Sequence, residues 1–200
     1  YYSKILNELN CFDNQFKTSE DKNRTKYYKE NFKRDKLLKK IQKKDEWIKQ
    51  LKIKIEIEKV SKPTIERTIQ LLNKTNQMNM RTNRYNENEF IKKYLNKSSK
   101  KNILVAKVKD KFGTYGLTGI ISYEKNEMNY EIEDFVLSCR VMGRGVEESL
   151  INFVKKQAKK ENKKIIFRYI KTKKNKPMLD FLKKYKSFKE LKNGVFHLEK

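Results

Sequence analysis

The pattern of apolar and polar positions divides the chain into a polar first quarter and an α/β remainder. Beyond residue 50, apolar residues that alternate with polar ones predict strands, and apolar spacings of three and four predict helices. The strands are expected at residues 51–60, 102–110, 116–124, 128–141, 163–172 and 195–199. The helices are expected at residues 64–78, 86–95, 146–160 and 176–185.

This order of elements predicts one mixed sheet. Three strands in hairpin succession, followed by a right-handed strand–helix–strand crossover, place helices on both faces of the sheet. Residues 1–50 are expected to form polar helices, with Thr18 and Ser19 as a cap and a thin apolar stripe that includes Tyr27 and Phe32. The prediction is therefore an α/β domain at residues 51–200, preceded by a helical connector at residues 1–50.

The loop between the strand at 128–141 and the following helix has the features of an anion site. Only six glycines occur in 200 residues, and two of them, Gly143 and Gly145, lie in this loop. Free backbone N–H groups and the helix dipole converge at such a helix start. Arg140 and Arg144 offer guanidinium groups that bind phosphate in a two-pronged manner. The alternative is a structural turn whose arginines pair with acids such as Glu147.

The formal charge of +25 favours an acidic protein partner over nucleic acid. Of the 50 basic residues, 42 are lysines and only eight are arginines, and the lysines are spread along the chain. Such a distribution is what an AT-rich coding bias produces on any fold, whereas a nucleic-acid surface gathers its basic residues into a patch. A basic surface still steers an acidic protein towards it.

The remaining composition excludes several classes of site. Two cysteines, Cys11 and Cys139, provide neither a disulfide framework nor the spacing of metal ligands. With His197 as the only histidine, we expect no zinc site and no Ser-His-Asp triad. No apolar run approaches the ~20 residues of a membrane span, and no signal peptide is visible, so the cytoplasm is the expected location.

Four segments together resemble the C-terminal portion of FkbH-like proteins. They are residues 71–85, 110–120, 137–147 and 171–177. FkbH-like proteins belong to subfamily IIIC of the haloacid dehalogenase (HAD) superfamily and join a phosphatase-like domain to a GNAT-like, N-acetyltransferase-type domain. The resemblance implies a GNAT-like fold, in which the crossover loop holds the pyrophosphate of acyl-CoA and the two flanking strands part to admit pantetheine. It also implies that residues 1–50 lead out of an upstream HAD-like domain.

The function that this resemblance implies is the formation of a glyceryl thioester on an acyl carrier protein. The donor would be a phosphorylated three-carbon acid such as 1,3-bisphosphoglycerate, and the thiol would be the carrier's phosphopantetheine. The nucleophilic aspartate of the HAD-like half lies in a D-x-D motif, which these 200 residues lack, so that half and its Mg²⁺ are expected upstream. The alternatives are a non-catalytic module that docks the carrier protein, and a free-standing acyltransferase that uses acyl-CoA.

Two departures from the GNAT pattern argue against ordinary N-acetylation with acetyl-CoA. The GNAT pattern Q/R-x-x-G-x-G/A matches residues 140–145 directly. An alignment anchored on the helix residues 150–151 instead places Glu147 at the position of the pattern's final Gly or Ala. We favour this second register, in which a carboxylate competes with the pyrophosphate. The tyrosine that often protonates the leaving thiolate aligns with Leu182.

Several residues near the crossover are candidates for thioester chemistry. Cys139 is a candidate relay that would carry the acyl group between two thiols, with Arg140 beside it to favour the thiolate. The alternative for Cys139 is a buried structural cysteine in an apolar strand. Ser138 is a further candidate for contacting the cofactor, and Asn175 either contacts pantetheine or caps the following helix.

A second group of polar residues is a candidate substrate site. An amide-rich cluster lies at the end of the helix at 64–78. It would either orient a polyol such as glycerate or cap the helix and satisfy its backbone groups. The capping role is the favoured interpretation. The members of the cluster are Thr75, Asn76, Gln77, Asn79, Arg81 and Arg84. Asp110 is expected in the turn between two strands and is a candidate ligand.

Overall fold

A computed structural model describes residues 23–41, 43–96, 99–185, 187–192 and 194–198, so the predicted cap at Thr18 and Ser19 lies outside the described residues. The helices are α1 (Arg24–Lys40), α2 (Lys44–Leu51), α3 (Ile65–Lys74), α4 (Glu87–Phe90), α5 (Val146–Lys160) and α6 (Lys176–Lys184). The strands are β1 (Lys54–Lys59), β2 (Lys101–Asp110), β3 (Gly113–Lys125), β4 (Asn129–Leu137), β5 (Lys164–Arg168), β6 (Phe188–Lys192) and β7 (Val195–Leu198). None of the helices within these ranges is long and apolar enough to cross a bilayer.

The strands form one mixed sheet, as the sequence predicts. Their order is β1-β2-β3-β4-β5-β7-β6, and within the described ranges only β4 and β5 pair in parallel. The prediction omits β6, which pairs with β7 at the edge of the sheet. The crossover from β4 through α5 to β5 is therefore the single parallel connection, and it lies in the middle of the sheet.

The two faces of the sheet carry separate cores, which confirms the prediction of helices on both faces. Alternation along β2 sends Leu104 and Ala106 to one face and Ile103 and Val105 to the other. The first face packs against buried residues of α5 and α6, and the second packs against α3 and the turn after α4. This period of two is what a strand buried on both faces requires.

The N-terminal helices pack on this domain through a face that the apolar stripe does not predict. Phe32 of the stripe is 61% exposed, whereas Glu30 and Arg34 of α1 are buried. Trp47 of α2 is also buried, and its indole Nε1 donates to the carbonyl oxygen of Arg34 at 3.2 Å. A hydrogen bond from the Trp47 side chain to the backbone of α1 thus joins the two helices. The proposed domain boundary at residue 50 stays a prediction.

Several predicted boundaries are corrected by the structure. The strand expected from residue 51 begins at Lys54, because residues 44–51 form α2. The helix expected to reach residue 78 ends at Lys74, and the strand expected to reach residue 141 ends at Leu137. The strand expected at residues 163–172 spans only Lys164–Arg168. The strand β4 ends before residue 141 because residues 138–141 form a local turn, in which the N–H of Val141 donates to the carbonyl oxygen of Ser138 at 3.1 Å.

The predicted helix start at Asn86 is confirmed. The side chain of Asn86 accepts a hydrogen bond from the backbone N–H of Glu89 at 2.9 Å, and the Glu89 carboxylate accepts from the N–H of Asn86 at 3.1 Å. This reciprocal pair is a capping box, which satisfies two helix-end donors. After α4 the chain continues as a π-helical turn, Ile91–Leu95.

Candidate functional site

An open cleft of about 750 Å³ lies where β4 ends, between α1, α3 and the loop before α6. The cleft brings together six of the residues that the sequence singles out. They are Thr75, Asn76, Gln77, Ser138, Cys139 and Arg140. The short turn Cys139–Val141 positions the last two, because the side chain of Ser138 accepts from the N–H of Arg140 and begins that turn.

The Cys139 side chain is accessible in this cleft. The residue is exposed and its thiol is free. The expectation of a buried structural cysteine is therefore wrong, because β4 ends two residues earlier and turns the chain outward at this point. Accessibility of the sulfur is a condition for a cysteine to act as a nucleophile.

The cleft is positively charged. Among its described lining residues are four cationic side chains and no carboxylate; the cations belong to Arg67, Lys74, Arg140 and Lys174. The Arg140 guanidinium lies 4.8 Å from the centre of the Tyr27 ring. Such a lining favours an anionic ligand, and arginine adds the directional recognition of phosphate or carboxylate oxygens.

The sequence predictions miss several cleft residues that come from distant segments. Tyr27, Tyr28 and Asn31 of α1 form one wall, and Arg67 and Gln70 of α3 form another. Of these residues, Arg67 alone is marked by the sequence, as one of eight arginines among 50 basic residues. No local pattern identifies the α1 residues, because their position depends on how that helix packs.

Asp110 lies outside the cleft, and its side chain holds the turn between two strands. Its carboxylate accepts from the N–H groups of Phe112 and Gly113 at 2.9 and 3.1 Å, which confirms the predicted turn between two strands. Arg34 and the hydroxyl of Tyr115 also donate to it. Burial raises the pKa of this carboxyl, but the hydrogen bonds from Arg34 and Tyr115 outweigh burial, and the pKa lies below its ordinary value.

Arg144 is directed towards the same buried cluster. Its guanidinium donates to the hydroxyl of Tyr115 and lies 5.1 Å from the centre of the Trp47 ring. Burial lowers the pKa of this guanidinium, and the charge of Arg34 lowers it further. The structure thus places Arg140 in the cleft and Arg144 against the N-terminal helices, so the two predicted phosphate ligands face different surroundings.

The crossover loop leads into α5 through a left-handed residue. Gly145 is the N-cap of α5 and has a φ of +83°, which explains a glycine at this position. Two residues later, the buried side chain of Glu147 turns back towards the loop, and its Oε1 accepts from the N–H of Gly143 at 2.8 Å. An amide of the predicted anion site is therefore bound by a carboxylate of the chain itself.

The strands that flank the crossover part beyond their first four residue pairs. β4 and β5 pair from Asn129–Lys164 to Ile132–Phe167 and no further. Residues 78–80 lie against the freed edge of β4: the N–H of Leu137 donates to Met78 at 2.9 Å, and the N–H of Met80 donates to Phe135 at 3.1 Å. On the other side, the N–H of Ile170 donates to the carbonyl oxygen of Met80 at 3.0 Å.

The remaining predicted site residues hold this inserted segment and the end of α3. Asn79 is buried and donates to the Thr75 carbonyl at 3.0 Å, and Arg84 donates to the carbonyls of Leu72 and Thr75. Arg81 pairs with Glu131 at 3.2 Å. These contacts agree with the interpretation that this polar cluster caps the helix and satisfies backbone groups.

Asn175 is buried at the same place, but its side chain does not cap α6. Its Nδ2 donates to the carbonyls of Asn79 and Ile170 at 3.0 and 2.8 Å. Its Oδ1 accepts from Tyr169 and Thr172 at 2.6 and 2.8 Å. These four bonds use both hydrogens and both lone pairs of the amide, so Asn175 braces the inserted segment and has no capacity left for a ligand.

The chain has the GNAT acetyltransferase fold. Three solved structures that it resembles are Ard1 from Thermoplasma volcanium (16% identity, TM-score 0.54), a GNAT-family acetyltransferase from Staphylococcus aureus (14%, 0.53) and the PaiA N-acetyltransferase from Thermoplasma acidophilum in complex with coenzyme A (15%, 0.53). The similarity covers 72%, 73% and 72% of this chain and 93%, 98% and 97% of those chains. No protein-family model matches the sequence, and no curated protein matches it either.

An acyl-CoA arm laid along β4, as this fold implies, does not fit the residues present. The backbone groups of Phe135 and Leu137 that an extended ligand would bind are already bonded to residues 78–80. Leu182, at the position of the proton-donating tyrosine, is a fully buried core residue and cannot protonate a leaving thiolate.

Proposed function

We propose that this chain is the acyl-transfer part of an FkbH-like enzyme, which builds a glyceryl thioester on an acyl carrier protein from a phosphoglyceryl donor. The observation that carries the proposal is the exposed Cys139 in a cleft lined by arginine and lysine. A phosphorylated acyl donor and a phosphopantetheine thiol are both anionic, and both match the charge of this cleft.

The first step loads Cys139. Its sulfur attacks the acyl carbon of the donor's acyl phosphate, a carbon–sulfur bond forms, and the carbon–oxygen bond breaks so that phosphate leaves with the electron pair. The thiol proton passes to the departing phosphate or to water. Arg140, whose N–H and Nε lie 3.4 Å from the Ser138 hydroxyl oxygen, stabilises the anionic groups at this point of the cleft.

The second step transfers the glyceryl group to the carrier. The phosphopantetheine thiol attacks the carbonyl carbon of the Cys139 thioester, the bond to the Cys139 sulfur breaks, and that sulfur regains a proton. Removal of the remaining phosphate belongs to the upstream HAD-like domain with its Mg²⁺. The amide and hydroxyl groups of Thr75, Asn76 and Gln77 line the same cleft and are suited to bind the hydroxyls of the glyceryl group.

The basic surface suits the proposed partner. Acyl carrier proteins are expected to be acidic, and the chain's net charge of +25 attracts an acidic protein through long-range electrostatics. This attraction also applies to a module that only docks the carrier. The experiment below separates docking from catalysis.

The test uses the full-length parent protein, 1,3-bisphosphoglycerate and the carrier protein, with intact-mass detection. We expect a phosphoglyceryl adduct, which becomes a glyceryl adduct once the remaining phosphate is removed, on the wild type and on a Cys11→Ala control. We expect no adduct with Cys139→Ala and a persistent ester with Cys139→Ser. Carrier loading should fail in both Cys139 variants. Loading by Cys139→Ala at the wild-type rate would overturn the relay and leave a docking role.

A further inference from the structure

Residues 78–80 make a single β-bridge to β4 and fill the gap between the diverging ends of β4 and β5. The pattern is that of β-augmentation, in which an extended segment adds to a free strand edge through main-chain hydrogen bonds. Three such bonds, with N···O distances of 2.9 to 3.1 Å, join the segment to Phe135, Leu137 and Ile170. The single residue pair Asn79–Val136 is antiparallel.

The side chains of this segment are fixed on both sides of the sheet. Met78 and Met80 are 2% and 0% exposed and belong to the core beneath α5 and α6. Asn79, between them, is completely buried and is held at the end of α3 by the carbonyl of Thr75. Asn175 then binds the Asn79 carbonyl from the far side. A segment held in this way cannot leave the gap without exposing two apolar side chains and breaking a buried hydrogen-bond network.

The crossover end of the same gap is closed by charge. Glu147 is 2% exposed and its carboxylate holds the N–H of Gly143, next to the start of α5. A pyrophosphate at this amide would have to displace the carboxylate or sit beside it, and like charges at such a distance repel strongly in a buried site. The acid also satisfies the positive end of the α5 dipole.

We propose that this GNAT domain is closed to acyl-CoA by its own chain. The segment Met78–Met80 takes the edge of β4 in place of a pantetheine arm, and Glu147 takes the amide of Gly143 in place of a pyrophosphate. The inference concerns the gap between the strands alone and does not depend on the chemistry assigned to Cys139. Any acyl thioester used by this domain then reaches it through the open cleft.

The test measures amide hydrogen exchange in the wild-type chain with and without millimolar coenzyme A, together with calorimetric binding. We expect the amides of Met80, Leu137 and Ile170 to be protected and their exchange to be unchanged by coenzyme A. If coenzyme A binds saturably and all three amides stay protected, the ligand lies outside the gap, and this result supports the proposal. The absence of coenzyme A binding also supports it. Saturable binding with faster exchange at Met80 and Ile170 would overturn it, as would rapid exchange at these amides in the free chain.

Two pairs of variants test the roles of Asn175 and Glu147 separately. Asn175→Ala should speed exchange at Met80 and Ile170 by roughly tenfold, the effect of losing a hydrogen bond, whereas Ala at the exposed Asn152 should not.

Inorganic pyrophosphate should bind Glu147→Ala more tightly than it binds Glu148→Ala or the wild type. Equal binding to the two glutamate variants would remove Glu147 from the proposal. The wild-type exchange experiment decides the role of Met78–Met80 even if a variant fails to fold.

Discussion

The Arg34 guanidinium and the Asp110 carboxylate form a buried, two-pronged ion pair across 76 residues of sequence: Nε donates to Oδ2 at 2.7 Å and Nη2 donates to Oδ1 at 2.9 Å. Their side chains are 1% and 0% exposed. The pair joins α1 to the turn between β2 and β3, and the Arg34 guanidinium also stacks on the Tyr115 ring at 3.9 Å. It thereby fixes the helix whose Tyr27 and Asn31 line the cleft.

Removing one member of this pair should destabilise the fold strongly. Asp110→Ala leaves the buried Arg34 charge with only the longer pair to Glu30 at 3.6 Å. Loss of one partner of a buried ion pair costs about 3–5 kcal/mol. Glu58→Ala is the control, because its pair with Lys107 is 42–43% exposed and such pairs contribute only about 0.2–1 kcal/mol. Urea denaturation measures both free energies of unfolding. Equal losses in the two variants would contradict the role assigned to Asp110.

The same carboxylate should make stability depend on pH at the acid end. The pKa of Asp110 in the folded chain lies below its ordinary value, so its contribution is complete above the unfolded-state pKa of about 3.9 and is lost as pH falls through the folded-state pKa. The stability difference between wild type and Asp110→Asn should therefore be constant near neutrality and shrink below about pH 4. Urea midpoints measured across this range test the expectation. A difference that widens on acidification would refute it.

The start of α5 should tolerate asparagine better than alanine at position 145. Gly145 has a φ of +83°, and an added Cβ would meet no atom within 4 Å, so the cost is that of the backbone alone. We expect Gly145→Ala to lose about 1–2 kcal/mol and Gly145→Asn to lose less, because asparagine adopts the left-handed region more readily. Thermal unfolding compares the two. Identical melting temperatures for glycine and alanine would exclude a left-handed residue here.

The proposed function predicts that charge in the cleft controls donor affinity. Arg140→Ala and Lys174→Ala each remove one cation from the cleft lining. A hydrogen bond to a charged group contributes about 1.5–3 kcal/mol. We therefore expect the KM for the phosphorylated donor to rise roughly 10–150-fold in each variant. Lys156→Ala, an exposed change on α5, serves as the control. Steady-state kinetics at two ionic strengths measure the effect, which salt should weaken. Unchanged KM values in both cleft variants would place the donor elsewhere.

Local patterns in the sequence were sufficient for most of the elements. The alternation in β2, the amphipathic helix α5 and the helix start at Asn86 depend on residues a few positions apart, and each is observed where it was predicted. The Asp110 turn belongs to the same class, because its hydrogen bonds reach only two and three residues along the chain. The resemblance to FkbH-like proteins added the GNAT-like fold, which the structure confirms.

The candidate site depended on contacts that no local pattern contains. The apolar stripe of α1 predicts burial of Phe32, yet the helix buries Arg34, because Asp110 lies opposite it. Cys139 follows a buried strand in sequence, but the turn that begins at Ser138 exposes it.

By itself, then, the sequence determined most of the strands and helices, their order and the residue types at the crossover, since periodicity and capping are short-range properties. It did not determine β6 or the end of α2. Only the tertiary structure decided that Met78–Met80 enters the sheet, because its partners at Phe135 and Ile170 lie 55 and 90 residues further along the chain. The same holds for the cleft, whose walls come from α1, α3 and the crossover. Packing between distant segments, and the burial of charge that it permits, selected which of the candidate groups remain accessible to a ligand.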